Sequence, residues 1–183
     1  MPRKTALVRC LAIHVVAAAF VPLARGAAQA NEVAALSADL DGDGRLDRAV
    51  LTEDADDVTL TVTLASRDVP VVKPALGWMG GMAGQEPALS VRAGSLVVEF
   101  QNESIGRNRW QQQLTIAWRN GGFVVAGYTF TSRDTLDPDQ GGACDINFLA
   151  RRGVRNGRPV AISVGAVPLL SWTDAAIPAI CRF

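Results

Sequence analysis

Four aspartates crowd into residues 39–47, and their spacing suits the binding of a hard cation. Ca²⁺ takes about six to eight oxygen ligands, and a short loop supplies them from carboxylates at positions 1, 3, 5 and 9 and a main-chain carbonyl at position 7. Gly44 stands at position 6, where the chain must turn sharply. The ligands that this pattern predicts are Asp39, Asp41, Asp43, the carbonyl of Arg45, and Asp47.

The alternative interpretation is an acidic turn that binds no ion. Eight of the 18 acidic residues fall between Asp39 and Asp57, and a divalent ion would relieve this concentration of like charge. We therefore expect bound Ca²⁺ with a structural role; Mg²⁺ fits less well because it prefers a smaller octahedral shell with retained waters. Position 12 is Val50, which predicts a weak Kd of roughly 10⁻⁴–10⁻³ M unless Glu53 or Asp54 reaches back to the ion.

The flanks of the loop distinguish between two kinds of calcium site. An EF-hand has a helix on each side and a bidentate Glu at position 12, whereas residues 33–38 and 48–52 have the composition of strands. The motif D-x-D-G-D-G-x-x-D, over about residues 33–52, resembles the loop of FG-GAP or VCBS-type repeats, and this resemblance implies calcium bound at a turn between two strands. Those repeats recur as propeller blades, and the chain has a single copy, so no propeller is implied.

A second resemblance covers most of the chain after the loop. It rests on the segments Arg107-Asn108-Arg109-Trp110, Leu114-Thr115-Ile116, Phe123 to Tyr128, Asp134 to Asp137, and Cys144-Asp145-Ile146-Asn147. These are similar to segments of uncharacterised exported bacterial proteins that carry one such calcium loop near the mature N-terminus. The resemblance implies a shared architecture and no particular activity.

The first 30 residues have the pattern of a secretory signal peptide. Basic residues at positions 3, 4 and 9 precede an apolar run from Cys10 to Leu23, and Ala28-Gln29-Ala30 suits cleavage before Asn31. The run is shorter than the roughly 20 apolar residues that a membrane span needs. We predict a mature chain of residues 31–183 that forms one β-rich domain, has no membrane span, and is periplasmic or secreted.

Cleavage would change the chemistry open to the chain. It leaves 14 basic and 18 acidic residues, a net charge of −4 that argues against nucleic-acid binding. It also removes His14, the only histidine, which excludes Ser-His and Cys-His catalysis and histidine-bound zinc. Cys144 and Cys181 remain as an even pair in an exported protein, so we predict a disulfide worth roughly 2–4 kcal/mol.

Hydrophobic alternation with a period of two runs through most of the mature chain. Residues 57–65 alternate Val and Leu with Asp and Thr, and residues 110–118 repeat the pattern before the turn residues Asn120-Gly121. Further strands are expected at 48–52, 89–92, 95–101, 123–131, 145–150 and 160–164. The prediction is an all-β fold, a single antiparallel β-sandwich or barrel-like domain.

Three functions remain open from the sequence. The first is an exported, calcium-stabilised, non-catalytic module that binds a protein, a glycan or a small ligand, for which the four tryptophans are the best support. The second is an envelope glycan hydrolase with paired carboxylates drawn from Glu99, Glu103 and Asp134. The third is a periplasmic inhibitor of a hydrolase, which would present a protruding loop from residues 75–84 or 103–109.

Overall fold

The computed structural model describes residues 31–183, which fold into two antiparallel sheets. The first sheet contains β1 (Asn31–Ala38), β2 (Asp47–Asp54), β3 (Asp57–Thr63) and β4 (Val71–Trp78). The second contains β5 (Ala88–Arg92), β6 (Ser95–Asn102), β7 (Asn108–Arg119), β8 (Gly122–Asp134), β9 (Gly141–Asn147), β10 (Arg152–Arg155), β11 (Arg158–Ala161) and β12 (Val167–Pro168). The all-β prediction is confirmed.

The strands of each sheet follow one another in sequence order. The first sheet has the order β1-β2-β3-β4, and the second runs β11-β10-β9-β8-β7-β6-β5, with β12 paired to β8. After β12 the chain makes three short 3₁₀ helices at Leu169–Ser171, Asp174–Ala176 and Ala179–Cys181. Within residues 31–183, no helix has the length and apolar character needed to cross a membrane. The predicted signal peptide lies outside the described residues.

Local sequence explains the long hairpin at the centre of the second sheet. Asn120 and Gly121 have φ values of +52° and +82°, the backbone that a two-residue type I′ turn requires and that Asn-Gly adopts readily. Trp118 pairs with Phe123 one residue pair away from this turn, and the two rings meet edge to face. The predicted turn is confirmed, and it sets the register of β7 against β8.

One hydrophobic core joins the two sheets. Leu51 and Leu60 from the first sheet and Leu114 and Ile146 from the second are at most 1% exposed and belong to the same cluster. Trp172, between the first two 3₁₀ helices, is also buried there. The segment after β12 therefore completes the core.

A disulfide fixes that last segment to the second sheet. The Cα atoms of Cys144 in β9 and Cys181 in the third 3₁₀ helix lie 5.4 Å apart, and the two sulfurs are at bonding distance. The predicted cysteine pair is confirmed. Because the two residues are 37 positions apart, the bond closes a loop that contains the chain from β9 to the third 3₁₀ helix.

Several strands differ from the sequence-based expectation: β4, β10 and β12 are not among the expected strands, and the strand expected at 160–164 lies at Arg158–Ala161. The strand predicted at residues 145–150 lies at Gly141–Asn147, because residues 148–151 form a turn in which the N–H of Arg151 donates to the carbonyl of Phe148 at 3.4 Å. Residues 75–78 were predicted to lie outside the strands, yet they end β4. This strand tolerates them through an irregularity opposite Val58 and Leu60.

Candidate functional site

The acidic loop closes the hairpin between β1 and β2. Ala38 and Asp47 pair across its base, so the loop residues 39–46 project from the end of the first sheet. Asp39, Asp41 and Asp43 each place one carboxylate oxygen so that the three oxygens lie within 4.8 Å of one another. The flanks are strands, as the sequence predicts, and the three carboxylates converge at the surface.

Backbone amides hold this arrangement. The N–H groups of Gly42 and Gly44 donate to the two oxygens of Asp39, at 2.7 and 2.9 Å, and both glycines have positive φ. The N–H of Asp43 donates to Asp41 Oδ1 at 3.1 Å. The glycines are therefore required by the backbone of the loop, which turns back over the Asp39 carboxylate.

The side chain of Arg45 forms an ion pair with Asp43, the most exposed aspartate of the cluster. Arg45 donates from Nε and Nη2 to Asp43 Oδ2 at 2.9 and 2.6 Å. The hydrogen bond from this guanidinium lowers the pKa of the Asp43 carboxyl. A metal ion that used Asp43 as a ligand would have to compete with Arg45 for the same oxygen.

Asp47 has different contacts from the other three aspartates. It is 1% exposed, and its two oxygens accept hydrogen bonds from the backbone N–H groups of Leu40 at 2.8 Å and Ala65 at 2.9 Å. It does not belong to the three-carboxylate cluster. These contacts tie the loop to the end of β3, and the ligand roles of Asp47 and of the Arg45 carbonyl stay predictions.

The eight acidic residues between Asp39 and Asp57 form two separate groups in the fold. Residues 39, 41, 43 and 47 lie at one end of β2, and residues 53, 54, 56 and 57 lie at its other end, around the turn into β3. Strand geometry places Glu53 about 20 Å from Asp47. Neither Glu53 nor Asp54 can therefore serve as the twelfth-position ligand of the loop.

The three carboxylates proposed for hydrolysis each have a partner of their own. Glu99 accepts a hydrogen bond from Gln113 Nε2 at 2.6 Å, Glu103 pairs with Arg133, and Asp134 accepts from Arg107 Nε at 2.5 Å. The bonds from Arg133 and Arg107 lower the pKa of Glu103 and Asp134, respectively. A general acid needs a raised pKa, so neither of these two residues is prepared for that role.

The two loops considered for an inhibitor contact each other. The N–H of Glu103 donates to the carbonyl of Gly84 at 2.9 Å. Gln85, which is completely buried, accepts from the N–H of Met82 and donates to Asn102. These contacts hold the loops against the body of the protein.

A row of four aromatic side chains was not predicted as a unit. Trp78, Trp110, Phe130 and Phe183 follow one another with ring centroids 5.9, 6.4 and 6.2 Å apart. The alternation over residues 110–118 puts Trp110 on the same side as Leu114 and Ile116, and Trp110 packs against the core while remaining half-exposed. The four residues come from β4, β7, β8 and the segment after β12, so no local spacing marks the row.

Three adjoining cavities follow this row, and together we call them the aromatic groove. The cavity at Trp78 and Trp110 has a volume of about 630 Å³, the cavity at Phe130 and Phe183 about 550 Å³, and the one reaching Trp110, Phe130 and Phe183 about 360 Å³. Gln112 lines the first two and so connects them. Each volume falls in the range of ligand sites, roughly 300–1,000 Å³.

One buried lysine lines the groove beside Trp78. Lys73 is 7% exposed, and its ammonium group donates to the carbonyl of Pro74 at 3.0 Å. Among residues 31–183, no carboxylate lies within ion-pairing distance of it. Since an ammonium has three N–H donors, Lys73 retains hydrogen-bonding capacity that the described residues do not use.

Fold and site together define a disulfide-linked antiparallel β protein with an acidic loop at the end of one sheet and an aromatic groove elsewhere. Comparisons with protein-family models, with curated proteins and with solved structures gave no match to this chain. The function must therefore be inferred from the geometry of its own residues.

Proposed function

We propose that this chain is an exported, calcium-stabilised binding module without catalytic activity. The observation that carries the proposal is the aromatic groove, because concave surfaces with aromatic walls and a few polar groups are typical of ligand sites. The groove contains no histidine, and Glu99, Glu103 and Asp134 are engaged with other side chains. Binding accounts for these features more simply than catalysis does.

The calcium part of the proposal is supported by the acidic loop. Asp39, Asp41 and Asp43 offer three converging oxygens, and the loop presents them to solvent, where Ca²⁺ can enter. The ion would stabilise the protein by binding the folded state, and would order the loop that Asp47 joins to the end of β3. Its role is structural because the loop lies at the end of the β1–β2 hairpin, whereas the groove is lined from β4, β7 and β8.

Thermal unfolding tests the calcium part. The full chain is expressed in a bacterial host and recovered after export, and N-terminal sequencing should give Asn31 as the first residue. The melting temperature of the recovered protein is measured in EDTA and across a millimolar Ca²⁺ series. We expect a rise with Ca²⁺ that the double variant Asp41→Ala/Asp43→Ala lacks.

Two results would contradict the proposal. An unchanged melting temperature in Ca²⁺ would mean that residues 39–47 are an acidic turn, and hydrolysis of an envelope glycan by the recovered protein would show that it is an enzyme. The variant Asp56→Ala/Asp57→Ala, which alters the acidic group at the other end of β2, is the matched control. It should keep the calcium response.

A further inference from the structure

We infer that the aromatic groove binds an extended, uncharged glycan chain. This inference rests on the proposed binding function and names the class of ligand for the same groove. Pyranose rings have an apolar face of C–H groups and a polar rim of hydroxyls, and they pack their C–H face against flat aromatic rings. The groove offers aromatic rings to the C–H face and polar side chains to the hydroxyls.

The exposure of the rings supports a ligand that lies along them. Trp78 is 37% exposed and Phe183 is 46% exposed, at the two ends of the row, while Trp110 and Phe130 between them are half-buried. The Trp110–Phe130 and Phe130–Phe183 ring planes are within 23° and 11° of parallel. The guanidinium of Arg155 lies 4.4 Å over the Phe183 ring, so stacking on a sugar falls mainly to Trp78 and Trp110, whose ring planes differ by 51°. The row extends across three adjoining cavities, and this length fits an extended ligand better than one compact molecule.

The polar groups of the groove require a ligand that both donates and accepts hydrogen bonds. Lys73 can only donate, whereas the carboxylates of Asp57 and Asp174 in the same cavity can only accept. The amide of Gln112, in the same cavity, does both. Hydroxyl groups also do both, so one series of hydroxyls can satisfy this mixed set along a single chain.

The charges of the groove argue against an anionic polymer. The three cavities are lined by three carboxylates, Asp57, Asp134 and Asp174, and by three cationic side chains, Lys73, Arg133 and Arg182. A polyanion would therefore meet no net positive charge in the groove, and the −4 charge of residues 31–183 repels it. Burial raises the pKa of Tyr128, which also lines the groove, so its hydroxyl stays neutral and can donate a hydrogen bond.

Two other large cavities lack these features. One lies over β9, β10 and β11 with a volume of about 590 Å³, the other lies along residues 66–72 with a volume of about 780 Å³, and neither is lined by an aromatic ring. They offer nothing on which a pyranose face could stack. The inference therefore concerns the aromatic groove alone.

Titration with defined hexasaccharides tests the inference. The probes are the β-1,4-linked hexamers of glucose and of N-acetylglucosamine, which are extended, and the α-1,4-linked hexamer of glucose, which is curved. Binding to the exported protein is followed by tryptophan fluorescence and calorimetry in millimolar Ca²⁺. We expect at least one extended hexamer to bind and the curved hexamer to bind more weakly.

Variants locate the site. Trp78→Ala removes one exposed end of the row and should weaken binding roughly tenfold, and Lys73→Met should weaken it as well. Trp118→Ala is the matched control, because Trp118 is a half-buried tryptophan that contacts Phe123 and Arg67 and lines none of the three cavities of the groove. The melting temperature of each variant shows that it is folded.

Two results would overturn the inference. One is that no hexamer binds at millimolar concentration; the other is that Trp118→Ala weakens binding as much as Trp78→Ala. Either result leaves the proposed function to its own test, because the calcium-dependent rise in melting temperature does not require a glycan. Absence of the calcium response would contradict the proposed function, and absence of hexamer binding would contradict the inference of a glycan ligand.

Discussion

Ser66 Oγ donates a hydrogen bond to Asp41 Oδ2 at 2.8 Å, and this bond joins the acidic loop to the turn that follows β3. The next residue, Arg67, lies over the Trp118 ring at 4.8 Å and donates to the carbonyl of Gly121 at 3.2 Å. The acidic loop is thereby connected, through two consecutive residues, to the β7–β8 hairpin of the other sheet. The acidic loop is therefore linked to the second sheet by side-chain contacts as well as by the shared core.

Removal of the Ser66 hydroxyl should weaken calcium binding. The hydroxyl orients the Asp41 carboxylate, and loss of a group that orients a metal ligand typically costs about 10–100-fold in affinity. We expect Ser66→Ala to raise the Kd for Ca²⁺ by about tenfold, the lower end of that range. The melting temperature in EDTA should not change. Calorimetric titration measures the Kd, and Ser90→Ala on exposed β5 is the control. An unchanged Kd would show that the bond does not orient a ligand.

Replacement of Arg45 by glutamine should have the opposite effect. The Arg45 guanidinium must leave Asp43 Oδ2 before an ion can use that oxygen, so Arg45→Gln removes a competitor. We expect a Kd for Ca²⁺ several-fold lower than that of the parent protein, by the same titration. Arg48→Gln is the matched control, because Arg48 also forms an exposed ion pair on this hairpin, with Glu32. Weaker binding in Arg45→Gln would contradict the competition between Arg45 and the ion for Asp43.

Substitution of Asp47 should destabilise the protein whether or not calcium is present. Asp47→Ala leaves the N–H groups of Leu40 and Ala65 without their acceptor; the buried Leu40 N–H should cost about 1–3 kcal/mol, and the N–H of the exposed Ala65 less, because water can replace its acceptor. Asp47→Asn keeps one acceptor oxygen, so its loss should be smaller. Urea unfolding in EDTA measures both changes. If Asp47→Ala were harmless in EDTA and harmful only in Ca²⁺, Asp47 would be a metal ligand with no structural role of its own.

Asp134 should make the stability of the protein fall in acid. The hydrogen bond from Arg107 lowers the pKa of Asp134 in the folded state, so the folded protein binds fewer protons than the unfolded chain as the pH falls below the usual value of 3.8. The contribution is complete above the unfolded pKa and is lost as the pH falls through the folded pKa. Asp134→Asn should be less stable at neutral pH.

The same variant should lose stability less steeply in acid. The slope of the unfolding free energy against pH is proportional to the number of protons that the chain takes up on unfolding. In Asp134→Asn this number should be smaller by up to about one. Urea unfolding between pH 2.5 and 6 measures the slope, and Asp139→Asn, at an exposed position of the neighbouring turn, is the control. Equal slopes in the parent and in Asp134→Asn would contradict the assignment.

Local patterns made the fold predictable, and non-local contacts limited the prediction of the site. Alternation and Asn120-Gly121 identify β3, β7, β8 and their turn, because strands and tight turns are determined by neighbouring residues. The role of Asp47 depends on Ala65, which is 18 positions away, and no spacing within the loop reveals it. The aromatic groove depends on residues as distant as Trp78 and Phe183, which only the pairing of strands and the disulfide bring together.

The order of the strands has a consequence for how the protein folds. Because each strand pairs mainly with its neighbour in sequence, hairpins can form early from contacts that are close along the chain. The groove is different, since Asp174 and Phe183 reach it only after the segment that follows β12 has packed against β4, β8 and β9. We expect the ability to bind a ligand to be acquired last during folding, after the sheets have formed and at the step when Cys181 meets Cys144.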